Sequence, residues 1–149
     1  MSAPFLEALI LVSNALGTGL LLFVARVVQK IMNEMDETTF KHFLTSLDKK
    51  AEHSIYAIAV SLLPIVLAIP YFIMYGFHHW WFTAGIAVWT LASVMSKVFN
   101  LPIYRWIEAP ENTDVAQIKE KRRQLQRANN LRASVSFLSV ILMTLQFMS

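Results

Sequence analysis

The sequence predicts an all-α membrane protein: four transmembrane helices in an up-down-up-down bundle, with an amphipathic interfacial helix in the first loop. Three observations predict it. The composition is 56% hydrophobic and only 15% charged, with a mean hydropathy of +0.48, whereas soluble domains carry about 25% charged residues. Four apolar runs approach or exceed the roughly 20 residues that a bilayer crossing needs. The 13 Lys and Arg residues fall into two groups, one per long loop, and none lies at either terminus or in the short second loop.

The elements follow in order within a single domain, 1–149. The first span covers about 3–28, "APFLEALILVSNALGTGLLLFVARVV". It does not read as a signal peptide: it lacks a basic start, is too long for the apolar region of one, and carries Glu7. Ser13 and Asn14, with "GTG" at 17–19, suit close helix packing and hydrogen bonds between helices. The first loop contains "DETTFKHFLTSLDKKAEH", where Phe40, Phe43, Leu44 and Leu47 recur at helical spacing. Asp36 and Glu37 stand at its start and Lys49 and Lys50 at its end, as the helix dipole favours. This helix is either a lid over a pocket or a plain interfacial connector.

The second span covers about 54–77 and tolerates Pro64 and Pro70 as kinks. Only Gly76, Phe77, His78 and His79 separate it from the third, about 80–101, so the two form a tight antiparallel hairpin. The third loop begins with the turn-rich "EAPENTD", which offers a helix cap at Asn112 or Thr113. No breaker follows before the fourth span, about 131–148, so a single helix from about 113 to 148 is predicted. Val115, Ile118 and Leu125 mark its apolar stripe, and Lys119, Lys121, Arg122 and Arg123 read as a headgroup-facing surface. By the positive-inside rule both long loops are cytoplasmic and both termini lie outside, in what reads as a bacterial cytoplasmic membrane.

Several function classes drop out. There is no cysteine, which excludes disulfides, thiolate metal sites, thiol nucleophiles and iron–sulfur clusters. The formal charge of +3 does not signal nucleic acid, because basic residues beside anionic headgroups account for it. No ionisable residue lies near the middle of the second, third or fourth span, which argues against a proton pump, ion channel or transporter. "HHWW" at 78–81 reads as an interfacial anchor. Adjacent His78 and His79 diverge by about 100° on a helical turn, so no metal site is expected there even with Glu7 as a further ligand.

Polar residues gather instead at the cytoplasmic ends of the spans: Arg26, Glu52 and His53, Lys97 and Asn100, then Asn129, Asn130 and Arg132. All four helices supply such groups at one depth, the arrangement that lines a pocket inside a bundle. Each has a plainer reading. Arg26 and Lys97 snorkel to headgroups, and Asn100 ends the third helix, with Pro102 stopping it.

Two motifs carry a resemblance. "WTLASVMSKVFNLPIYRWI" (89–107) contains an Asn-x-Pro-aliphatic turn, and "RANNLRASVSFLSVIL" (127–142) contains Asn-Leu-Arg. Together they resemble the anthrone oxygenase-like family of small four-helix membrane proteins, over the second half of the chain in particular. Ile103 and Tyr104 stand where that family often has Leu-Asn, and no tryptophan shortly precedes Asn-Leu-Arg. The resemblance implies cofactor-independent oxidation of an activated aromatic CH2 by O2. His53 would be the general base, with Arg132 and Asn100 stabilising the enolate oxygen. Arg26, Glu52, Lys97, Pro102, Asn129 and Asn130 would bind a lipophilic substrate arriving from the bilayer. The alternative is a non-catalytic subunit of a homo-oligomer or membrane complex, with Gly17, Gly19, Ala84, Gly85 and Ala87 as contact residues.

Overall fold

The computed structural model describes residues 2–148, and those residues contain helices and no strand. Four helices are long and apolar enough to cross a membrane, as in a multi-pass membrane protein: α1 (Ala3–Glu34), α3 (Ile55–Tyr75), α4 (Trp80–Glu108) and α5 (Val115–Gln146). The amphipathic helix α2 (Glu37–Glu52) links the first two.

Side-chain partners fix the alternating directions. Asn14 of α1 donates to Ser139 Oγ of α5 at 2.5 Å, whereas Asn129, ten residues earlier in α5, donates to Gln29, fifteen residues later in α1, at 3.1 Å. Tyr71 of α3 meets Glu7 of α1 at the hairpin end, and Asn100 of α4 meets Asn129 of α5 at the loop end. Neighbouring spans therefore run antiparallel. The α5 helix packs along both α4 and α1, and α1 packs along α3, while α3 and α4 touch sparsely beyond their shared turn.

Two glycines set the close approaches. A Cβ on Gly17 would lie 2.9 Å from the Trp89 ring and 2.9 Å from the Val60 carbonyl, so glycine lets the indole reach between α1 and α3. A Cβ on Gly85 would lie 3.0 Å from the Ser139 carbonyl and strike the Met143 side chain, so glycine lets α4 settle on α5. The hairpin turns at Gly76, whose φ of +65° is a conformation that side-chain-bearing residues seldom adopt.

Two spans are longer than the apolar runs imply: the α1 helix continues to Glu34 and α4 to Glu108. The α5 helix is the single long helix expected, beginning at Val115 and capped by Asp114 instead of Asn112 or Thr113. Asp114 accepts from Ala116 N–H at 2.8 Å, while Asn112 closes the preceding turn by donating to the Trp106 carbonyl at 2.7 Å. Pro102 does not stop the third span. It follows a π-helical segment, Ser96–Asn100, in which the wider turn precedes a residue without an N–H, and the helix runs on as Leu101–Glu108. A matching segment, Val24–Val28, lies in α1.

The extended ends enclose a second core beyond the main bundle. Met32, Ile103, Ile107, Ile118 and Leu125 pack there against Phe40 and Leu44 of α2. Lys41 fastens α2 to the loop by donating to the carbonyls of Ala109 (2.6 Å) and Asn112 (2.9 Å). Arg122 departs from the headgroup-facing expectation: it is buried, lies 4.3 Å over the Phe40 ring and donates to the Met35 carbonyl at 2.9 Å.

Candidate functional site

A cavity of about 810 Å³ lies between the loop-end halves of the four spans and beneath α2. That volume falls in the range of small-molecule sites, about 300–1,000 Å³. Leu20, Leu21 and Val24 of α1, Val60 and Ile65 of α3, and Trp89 and Ala92 of α4 form apolar walls. Leu44, Leu47 and Ala51 of α2 cover the loop end, which is the position of a lid. Two polar stripes face the space. Ser93, Ser96 and Lys97 follow Trp89 at helical spacing on α4, and Asn129, Arg132 and Ser136 do the same on α5.

Arg132 is the chemically conspicuous group. Its Nε is buried with no hydrogen-bond partner. The ion pairs among the described residues are His79–Glu7, Lys119–Glu37 and Arg123–Glu120, so none involves Arg132. A guanidinium keeps its charge in proteins, and a charge at membrane depth without an opposite partner is costly. Tyr104 is its electrostatic neighbour and lines the same cavity. Two carboxylates, Asp48 and Glu52, line the cavity from α2. Burial, reinforced by the like charges of Glu108 and Glu52, holds the Asp48 carboxyl above the ordinary carboxylate range.

Behind the cavity a chain of five amides ties three spans together. Asn100 Nδ2 donates to Asn129 Oδ1 (2.6 Å), Asn129 to Gln29 (3.1 Å), Gln29 to Asn33 (3.0 Å) and Asn33 to Gln126 (3.3 Å). Asn100 and Gln29 are each about 1% exposed. The π segment of α4 ends on Asn100, so the helical irregularity and the amide chain meet at one residue.

The structure brings four of the nine sequence-predicted residues to the cavity: Arg132, Asn129, Lys97 and Glu52. It places the other five elsewhere. Asn100 serves the amide chain, and Arg26 and Pro102 are exposed, with Asn130 half-buried. His53 caps α2, exposed, with its Nδ1–H donating to the Lys49 carbonyl at 2.8 Å. The donor assignment follows because a carbonyl can only accept. Sequence reasoning passed over Asp48, Tyr104, Ser93, Ser96, Trp89 and Ser136. Asp48 was legible in principle: it lies four residues from both Leu44 and Glu52, hence on one helical face.

The hairpin end holds a second polar group, at the place where the sequence sets Glu7 near His78 and His79. Glu7, 3% exposed, accepts a hydrogen bond from Tyr71 OH at 2.6 Å and pairs with His79 Nδ1. The cluster joins α1 to the α3–α4 turn. His78 is exposed beside it, and among the described residues no three His, Asp or Glu side chains converge. Trp80 and Trp81 stand exposed at the same end, where interfacial aromatics belong. No known protein family matches the chain, and no curated protein or solved structure matches it.

Proposed function

We propose that this is a multi-pass membrane protein that binds a lipophilic molecule with an anionic or enolic oxygen, held by Arg132 inside the cavity. The observation that carries the reading is a guanidinium without an ionic partner on the wall of an otherwise largely apolar chamber. An oxyanion supplies the charge and the acceptor lone pairs that Arg132 lacks. In the proposed orientation the two basic loops face the cytoplasm, so α2 closes the cavity on that side.

The resemblance to anthrone oxygenase-like proteins adds a reaction. A carboxylate takes one proton from the activated CH2, and the resulting enolate oxygen rests on Arg132. The carbanionic carbon adds O2 to give a hydroperoxide after protonation. Loss of water then leaves a carbonyl, so CH2 and O2 become C=O and H2O. Asp48 and Glu52 line the cavity and are better placed as the base than His53, whose ring is tied to Lys49 at the surface. The raised affinity of Asp48 for its proton makes it a stronger base than an ordinary carboxylate.

The test compares purified wild type with Arg132→Gln, Asp48→Asn and His53→Ala, reading anthrone binding by native mass spectrometry and turnover by O2 uptake. Arg132→Gln should weaken binding about tenfold or more, from the 1.5–3 kcal/mol of a charged hydrogen bond. Asp48→Asn should slow uptake with binding kept, and His53→Ala should change neither. Wild-type binding and uptake in a folded Arg132→Gln protein would overturn the reading. A non-catalytic subunit draws less support, because Gly17 and Gly85 are already occupied inside the bundle, which leaves Gly19 and Ala87 of that set exposed.

A further inference from the structure

The cavity has an open side, at the seam between α3 and α4. The α3 helix leans on α1 and touches α4 sparsely, so their seam is loose away from the shared turn. The cavity reaches that seam: its lining includes exposed Ile58 and Leu62 of α3 and exposed Lys97 of α4. On the loop side α2 intervenes, held by its two carbonyl contacts through Lys41. Exposed Lys50 and Glu52 of α2 line the loop-end rim, while the seam between α3 and α4 opens sideways, along the apolar faces of the spans.

Charge and depth define what would occupy such a slot. Asn100 meets Asn129 across antiparallel α4 and α5, so Lys97 and Arg132, each three residues further from that contact, lie at one level. Both line the cavity, which sets two cations of α4 and α5 at one level, while Asp48, Lys50 and Glu52 line it from α2. Trp89 lies eight residues deeper than Lys97, about 12 Å along the helix, roughly the reach of nine extended carbons. From that level to Trp89 the walls combine apolar Ala92 and Val60 with the neutral hydroxyls of Ser93, Ser96 and Ser136, and carry no further charge.

We infer that the slot between α3 and α4 takes an anionic amphiphile directly from the bilayer, its acidic head on Arg132 and Lys97 and its acyl chain running past Trp89 into the lipid. This rests on the proposed role of Arg132 and adds the class of ligand and its route. It makes the bilayer itself the reservoir from which the site fills.

The probe is 9,10-dibromostearate, whose bromines quench tryptophan on contact, compared with its uncharged methyl ester in phosphatidylcholine vesicles. Trp80→Phe, Trp81→Phe and Trp106→Phe together leave Trp89 as the sole reporter. The acid should quench Trp89 saturably at a concentration at least tenfold below that needed for the ester, and adding Arg132→Gln should bring acid and ester together. Unmodified wild type offers a second measurement should the triple variant fold poorly: native mass spectrometry should show stearate retained over methyl stearate. If neither brominated probe quenches Trp89 and stearate is not retained, while anthrone binding still depends on Arg132, the lipid route is wrong and the site reading stands. If acid and ester act alike whether or not Arg132 is present, the headgroup assignment and the site reading both fall.

Discussion

Gly85 and Gly17 are occupied by their neighbours, and Gly19 is not. A Cβ at Gly85 meets backbone of α5 as well as Met143, and one at Gly17 meets the Val60 carbonyl, while nothing lies within 4 Å of a Cβ at Gly19. Gly85→Ala should therefore cost about 1–3 kcal/mol by overpacking, whereas Gly19→Ala should be neutral or slightly stabilising. Thermal unfolding in detergent checks both, and equal effects would show that the α4–α5 contact yields easily. The paired asparagines make a similar contrast. Asn129 is buried between Asn100 and Gln29, and Asn130 is half-buried with no side-chain hydrogen bond among the described residues. Asn129→Leu strands two amides and should lose about 1–2 kcal/mol; Asn130→Leu should lose much less. The sequence could be read for small and polar residues worth noting, but not for which of them face protein. Lipid is as apolar as a core, so the residues outside a span look like those inside it. That is why Gly17 and Gly19 read alike, and why Asn129 and Asn130 were grouped.

Helix boundaries show where local rules suffice. The amphipathic α2 was legible because its environment differs on two sides, and its start at Asp36 follows from a side chain that accepts from Thr39 N–H at 3.0 Å. The length of α4 was not legible. Pro102 ordinarily ends a helix, and the π segment that accommodates it leaves no mark in residue type. The same element scale carries a pH effect. Asp48 has a folded-state proton affinity above its ordinary value of 3.8, first through burial and then through Glu108 and Glu52. For an acid raised in this way the folded protein holds the extra proton, so stability falls as pH rises from 3.8 through the raised value. The docking of α2 should loosen over that window, read as a fall in the protection factors of 37–52 once the intrinsic pH dependence of exchange is divided out. Asp48→Asn should abolish that fall, and an unchanged slope in that variant would assign it to another group.

At the level of the whole molecule the depth of the site was legible and its geometry was not. Counting polar residues at one end of the spans led to Arg132, Asn129, Lys97 and Glu52, which do line one cavity. The same count included His53 and Arg26, because sequence gives height along a helix more readily than direction around it, and two π segments shift that direction midway. Glu7 was placed near the His78–His79 pair by depth alone, while the part of Tyr71, which donates to Glu7, depends on its direction around α3. The charge distribution does make a global statement, since all 13 Lys and Arg lie at or beside the loop end. Retention of positive charge on the cytoplasmic side then sets the proposed orientation. A chain with no cysteine permits a clean check. His78→Cys at the exposed hairpin and Thr113→Cys at the exposed third loop each introduce one thiol. In intact cells a membrane-impermeant maleimide should label His78→Cys and spare Thr113→Cys, which should react only after permeabilisation. The reverse pattern would invert the molecule, place α2 and its cavity mouth outside, and move the amphiphile proposed for Arg132 to the outer leaflet.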